Sequence, residues 1–257
     1  MNSDPLELTI IALLGLAIGS FLNVVIHRLP RRQSLVSPGS RCPSCGYELR
    51  ALDNIPLVSY AMLLGRCRKC GTRISPRYPV IELITAVLFV LHYFLFGWTP
   101  LLAVRLLFSA ALVALFAIDL EHRLLPDVIT LPGAAVGLIA SAFLPPGLRD
   151  ALIGMIAGGG VLWAVGEAYY RYAGEEGMGG GDVKMLAMIG AFLGWQLVLV
   201  TLVFSSIAGA LIGLVVIALK RGDMKYALPY GTFLAIAGAI ASLYGDRIFR
   251  WYTGFYG

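Results

Sequence analysis

The residues best placed to do chemistry in this 257-residue chain are aspartates at the ends of apolar runs. Asp119 closes one run in "LFAIDLEHRLLPD", Asp127 ends the same stretch, and Asp182 follows the glycines of Gly177–Lys184, "GMGGGDVK". Ionisable groups at membrane depth are costly and are usually kept for function. Two carboxyls brought close cannot both ionise easily, so one keeps a proton while the other acts as base toward a shared water. That is the chemistry of aspartic peptide hydrolysis, and it needs water and an acyl carbonyl held between the acids. Gly179 and Gly181 suit such a site, because backbone without Cβ atoms can approach a partner helix or an extended substrate closely. Each acid also has a plain alternative. Asp182 and Asp127 could each cap a helix that begins there, and Asp119 could pair with Arg123 at i+4. Asp119 and Asp127 are eight residues apart, about 12 Å along a helix. The partner of Asp182 is therefore one of the two, and spacing does not choose. Glu82 and Glu167, a few residues inside two other apolar runs, complete the set of acids.

The four cysteines form a second constellation. They stand as "CPSC" at Cys42–Cys45 and "CRKC" at Cys67–Cys70. Each pair puts two thiolates on one tight turn, and two such turns complete a tetrahedral S4 site that suits zinc. Redox chemistry and two disulfides are the competing readings. A cytoplasmic location disfavours disulfides. Four thiolates leave no open position for water, so the metal is expected to fold a small insert that lacks a strong core of its own, and not to carry out the reaction.

The elements that must position these residues lie in lipid. Of the residues 58% are hydrophobic and only 14% charged, with mean hydropathy +0.81, whereas soluble domains are about a quarter charged. Eight apolar runs are candidate membrane helices, at about 6–26, 80–96, 101–118, 128–144, 151–170, 183–192, 197–219 and 229–244. The sixth is short, and the sixth and seventh read equally as one bent element. The first run starts with Asp4 and Glu7 and has no small-residue cleavage site after it, so it is expected to be a retained anchor. The fold class expected is an all-α polytopic membrane protein. It divides into an N-terminal transmembrane helix (1–27), a cytoplasmic tetracysteine insert (28–78) and a helical bundle carrying the acids (79–257).

Charge sets the orientation. Ten of the 20 Lys and Arg fall between His27 and Pro79, and positive loops stay cytoplasmic. Alternating eight spans places Arg123, Arg171, Lys184, Lys220, Arg221 and Lys225 on that same side. The acids then gather at the cytoplasmic face. The net charge of +5 is this loop bias and does not point to nucleic acid. A transporter would also use intramembrane acids, but a proton path wants them spread through the depth of the membrane. The small residues of Gly154–Gly160 and Ser205–Gly213 are expected to serve close helix packing. Arg105 is expected to snorkel to the outer interface.

These blocks together resemble the prepilin peptidases, the bifunctional leader peptidase/N-methyltransferases of type IV pilus and type II secretion systems. "GSFLNVVIHRLP" at Gly19–Pro30 resembles their first-span signature, "CPSC…CRKC" their zinc-type insert, and "ISPRYPVIEL" at Ile74–Leu83 the entry to their second span. "IDLEHRLLPD" resembles the block around the first catalytic aspartate. "GMGGGDVK" contains the GxGD signature, and "LPYGTFLAIAG" at Leu228–Gly238 resembles the C-terminal block, with Tyr230 and Thr232 where Phe and Pro are more usual. The resemblance implies a bacterial inner-membrane enzyme that cleaves the basic leader of prepilins or pseudopilins after a glycine. It then methylates the new amine with S-adenosylmethionine. It also implies Asp119 and Asp182 as the acids, with Asp127 secondary. Glu121, Glu175 and Glu176 could attract the basic leader. No G-x-G-x-x-G follows a strand, so the methyl donor would bind without a Rossmann unit, with the insert, Glu82 and His27 as its expected neighbours.

Overall fold

Each apolar run is a helix, because a chain in lipid must satisfy its own backbone polar groups and a helix does so within one segment. The computed structural model describes residues 4–175, 177–219 and 228–254. Glu176, and the Lys220, Arg221 and Lys225 used in the charge partition, lie outside them. The helices are α1 (Pro5–Arg28), the short α2 (Val58–Met62), α3 (Arg77–Phe96), α4 (Pro100–His122), α5 (Asp127–Ser141), α6 (Leu148–Ala173), α7 (Gly180–Leu219) and α8 (Tyr230–Thr253). Six of them are long and apolar enough to cross a membrane, and α5, at 15 residues, is shorter. Their many exposed apolar side chains, such as Leu13, Ile139, Ile156, Val203 and Leu214, fit a surface facing lipid.

Two compact units divide the chain, Met1–Ala114 and Leu115–Gly257, with α4 running from one into the other. In the first unit α1 packs on α3 through glycines. A Cβ at Gly19 would lie 2.7 Å from Glu82 Cα, so only a glycine lets the two backbones meet there. Asn23 Nδ2 donates to Tyr78 O at 3.0 Å along the same seam. The segment between α1 and α3 is tied back by Glu82, whose Oε2 accepts the Leu57 N–H at 2.9 Å. Arg105 does not snorkel. It is buried, with its guanidinium carbon 5.7 Å from the centroid of the Phe96 ring, one turn of chain from the buried His92 on α3.

In the second unit α7 is two limbs. Gly194 sits at φ 80°, ψ 173° inside it, a region essentially confined to glycine. Residues on α6 report the direction of each limb. Gly154 lies against Gly190 on the first limb and Gly194–Trp195 at the bend. Four residues later, Gly158 lies against Leu186 on the first limb and Val198 on the second. Moving along α6, the contacts therefore run backward on one limb and forward on the other, so α7 doubles back. The sixth and seventh apolar runs are thus the two limbs of one broken element. Beside the first limb runs α5, joined where Ser141 Oγ donates to Ala191 O at 3.1 Å. Beside the second runs α8, antiparallel, with Gly245 against Leu197 and Phe233 and Tyr230 against Gly209. The Tyr230 hydroxyl bonds Ser205 and Ser206 at 3.1 and 3.3 Å.

Candidate functional site

Four segments of the second unit converge on Leu125. Its side chain is buried and packs on two glycines: a Cβ at Gly181 would lie 2.9 Å from Leu125 Cβ, and one at Gly231 would lie 2.8 Å from Leu125 Cδ1 and 3.0 Å from Asp119 Oδ2. The end of α4, the turn that follows it, the start of α7 and the start of α8 are thereby held at one place. A side chain at Gly181 would collide with Leu125 Cβ, and one at Gly231 would displace the Leu125 side-chain end.

Asp119, in the last turn of α4, is only 5% exposed. Its Oδ2 accepts two hydrogen bonds from Thr232 on α8, from the N–H at 2.7 Å and from Oγ1 at 3.0 Å. The i+4 role is carried by backbone: the Arg123 N–H donates to Asp119 O at 2.8 Å, while the Arg123 charge acts on the carboxylate through space. Asp182 is the third residue of α7, not the residue before it, and its N–H donates to Gly179 O at 3.1 Å. Asp119 and Asp182 thus both adjoin glycines, Gly231 and Gly181, that pack on the same side chain, Leu125.

Asp127 is placed differently. It is the first residue of α5, with Pro126 in the cap position, so it is not the cap. Its two oxygens accept from Lys184 Nζ, both at 2.8 Å, with 56% of the Asp127 side chain and 40% of the Lys184 side chain exposed. Asp127 thus ties the start of α5 to the start of α7. Glu167 pairs with Arg171 one turn along α6 at 2.8 Å. Glu121 lies 3.9 Å from His122 at the end of α4, and Glu175 is exposed after α6. Sequence reasoning missed Thr232 and Leu125. The first is 113 residues from Asp119, and nothing in the local pattern of either marks a contact.

The cysteines come together in the first unit. Each pair sits on the same knuckle. Gly46 N–H donates to Cys42 O and Cys42 N–H to Tyr47 O, and Gly71 and Thr72 repeat this pattern on Cys67, all within 2.8–2.9 Å. Gly46 and Gly71 take φ of 69° and 73°, which glycine adopts without strain. All four Sγ atoms lie within 4.8 Å of one another, with Cys42–Cys70 and Cys45–Cys67 at 3.8 and 3.9 Å. Four sulfurs at about 2.3 Å from a tetrahedral zinc would stand about 3.8 Å apart, so this cluster could hold such an ion. The Thr72 hydroxyl and N–H hold the Cys70 thiol down to about 6, which favours the thiolate a metal needs. Asp53 braces the two knuckles. It accepts from Tyr47 OH at 3.1 Å beside one and from Arg68 Nε at 2.8 Å within the other.

Comparison with known proteins identifies the family. Residues 13–96 match the bacterial peptidase A24 N-terminal domain and residues 106–214 the type IV leader peptidase family. A prepilin leader peptidase/N-methyltransferase of Pseudomonas aeruginosa is 43% identical over 100% of this chain and 97% of its own length. The chain belongs to the type IV leader peptidase family. Proteins of the same description from Aeromonas salmonicida, 43% identical over 96% of this chain and 94% of the relative, and from Burkholderia pseudomallei, 40% identical over 95% and 87%, are similar to it in the same way. No solved structure matches the chain significantly.

Proposed function

We propose that Asp119 and Asp182 are the two acids with which this prepilin leader peptidase and N-methyltransferase cuts its substrate. One observation carries the assignment: the starts of α7 and α8 both pack on Leu125, through Gly181, the neighbour of Asp182, and through Gly231, which lies against Asp119. Asp127 lacks that relation and is neutralised by Lys184. One carboxyl of the dyad takes a proton from water, and the water oxygen bonds to the carbonyl carbon that ends the leader. The other gives its proton to the amide nitrogen as the C–N bond breaks. The glycine-rich start of α7 gives the extended substrate access to both acids.

The substrate is a type IV prepilin or type II pseudopilin with a basic leader, cut after glycine at the cytoplasmic face of the bacterial inner membrane. The charge asymmetry of the loops supports that orientation. Residues 28–78 form a zinc-stabilised insert held by Cys42, Cys45, Cys67 and Cys70, where the metal folds the chain and takes no part in hydrolysis. S-adenosylmethionine supplies the methyl group to the new N-terminal amine. Among the described residues there is no β-strand and hence no Rossmann unit to bind it.

The test uses the purified full chain in detergent with a prepilin and S-adenosylmethionine, read by intact mass. Asp119→Asn and Asp182→Asn should abolish leader removal, Asp127→Ala should retain it, and the wild-type product should gain one methyl group. Cutting by both asparagine variants would sink the aspartyl mechanism.

A further inference from the structure

We propose that α2 is an interfacial helix, its outward face set into the boundary between headgroups and acyl chains in the leaflet where α1 ends and α3 begins. The proposal rests on α1 and α3 crossing the membrane and is independent of which acids cut. It starts in the sequence. The segment between these spans is rich in arginine, yet 55–64, "IPLVSYAMLL", holds no charged residue in ten positions, and Arg50 and Arg66 are the nearest cations on either side. An apolar run of this length is too short to span and suits either a buried helix or an interfacial one.

Burial decides between the two. Val58, Ala61 and Met62, spaced i, i+3 and i+4, share one face of α2, and all three are exposed. Met62 is 77% exposed, and Leu64, just beyond the helix, 84%. Tyr60 points the other way and is half-buried. Its hydroxyl donates to Ile74 O at 3.4 Å, and a Cβ on Gly65 would lie 2.9 Å from it. The helix thus turns its polar side chain toward protein and its apolar ones outward, the reverse of a helix facing water.

The depth of α2 names what covers that face. The Leu57 N–H, directly before α2, donates to Glu82 Oε2 at 2.9 Å. Glu82 is the sixth residue of α3, about 7.5 Å along it from Arg77. A Cβ on Gly19 would lie 2.7 Å from Glu82 Cα. Gly19 stands nine residues before Arg28, the last residue of α1, about 13 Å along that helix. So α2 begins level with the first turns of α3 and short of the end of α1, the depth of a helix lying in the interface plane. Val80, Leu83 and Ile84 of α3 are exposed near that level too, as lipid-facing side chains are. Acyl chains therefore take Val58, Ala61 and Met62, while headgroups take Arg50 and Arg66, which are both exposed. The tetracysteine insert is held against the membrane at its middle as well as at its two ends.

The test uses the full chain in vesicles of phosphatidylethanolamine and phosphatidylglycerol. Benzoylphenylalanine replaces Met62 in one sample and Glu48 in another. The Glu48 side chain is 73% exposed but pairs with Arg41 in a charged stretch. Irradiation followed by intact mass reads what each position touches. The Met62 position should gain the mass of one phospholipid at least about tenfold more often than the Glu48 position. The same replacement at Leu64 repeats the reading should the Met62 variant fail to fold. Equal labelling at both positions, or no added mass at Met62 and Leu64, overturns the proposal. A doubled mass would make the face a contact between two copies. An adduct of prepilin mass, when a prepilin is added, would make it a substrate surface. Either result also sinks the lipid assignment. Loss of the Asp119 and Asp182 assignment would leave the labelling result standing, because neither acid enters it.

Discussion

Eight residues separate Asp119 from Asp127, and their surroundings separate them further. Asp119 is buried and held by Thr232, whereas Asp127 shares an exposed ion pair with Lys184. Exposed pairs contribute about 0–1 kcal/mol and are screened by salt. Asp127→Asn is therefore expected to lower stability by less than about 1 kcal/mol, by an amount that shrinks further at high ionic strength, and to keep leader cleavage. Thermal melts at low and high salt, beside an activity assay, check this; a dead Asp127→Asn enzyme would return Asp127 to the dyad. Asp53 makes a second residue-scale case, outside the membrane helices. The Arg68 guanidinium beside it holds its carboxyl below the ordinary range. With the folded value depressed, its stabilisation is present above the unfolded carboxylate value of about 3.9 and disappears as pH falls through the folded value. Asp53→Asn should thus weaken hydrogen-exchange protection of residues 40–75 at neutral pH, and the gap from wild type should close only below about pH 4. A gap that closed on raising the pH would contradict the sign. The acids were legible because charge is rare in apolar sequence. Thr232 was not, because a hydrogen bond across 113 residues leaves no local mark.

Helices were legible for a related reason. Lipid leaves the chain few options, so apolar runs such as 101–118 and 151–170 map onto α4 and α6 with only their ends extended. The bend in α7 was half legible. A short sixth run and a neighbouring seventh suggested a broken element, but nothing singled out Gly194 among 30 glycines. Its φ of 80° with ψ 173° is imposed by the fold, in which α6 must meet both limbs at Gly154 and Gly158. The same reasoning gives a contrast between two glycines. Gly194→Ala forces a side chain into a glycine-only conformation, with its Cβ 3.0 Å from Pro146 Cβ; strain of that kind costs on the order of 1–3 kcal/mol. Gly160, in the middle of α6, has nothing within 4 Å of an added Cβ, so Gly160→Ala should be neutral or stabilising by about 0.5–1 kcal/mol. Melting temperatures in one detergent should therefore move down for Gly194→Ala and stay level or rise for Gly160→Ala. Equal shifts would mean that α7 does not turn at Gly194.

At the scale of the whole molecule, orientation and metal meet in one measurement, because every cysteine of the chain lies between α1 and α3. Eight of the 20 Lys and Arg lie in the same stretch, and positive loops remain on the cytoplasmic side. A membrane-impermeant maleimide should therefore reach these thiols in inverted vesicles and not in intact cells. Thiolates bound to zinc are shielded, so labelling should stay low until a chelator strips the ion. Three of the four cysteine residues are at least partly exposed in the chain itself, so burial of the residues alone would not block the reagent. The acids Asp119 and Asp182 both belong to the second unit, and an S4 site leaves no position open for water. Chelation should then unfold the insert while leader cleavage keeps a kcat within about threefold of its starting value, less than the loss of one charged hydrogen bond. Labelling from outside would reverse the topology and put the dyad on the wrong face for a cytoplasmic leader. Labelling of inverted vesicles without chelator would mean that the sulfurs hold no metal. Loss of cleavage in step with loss of the ion would mean that the second unit depends on the insert for its working shape.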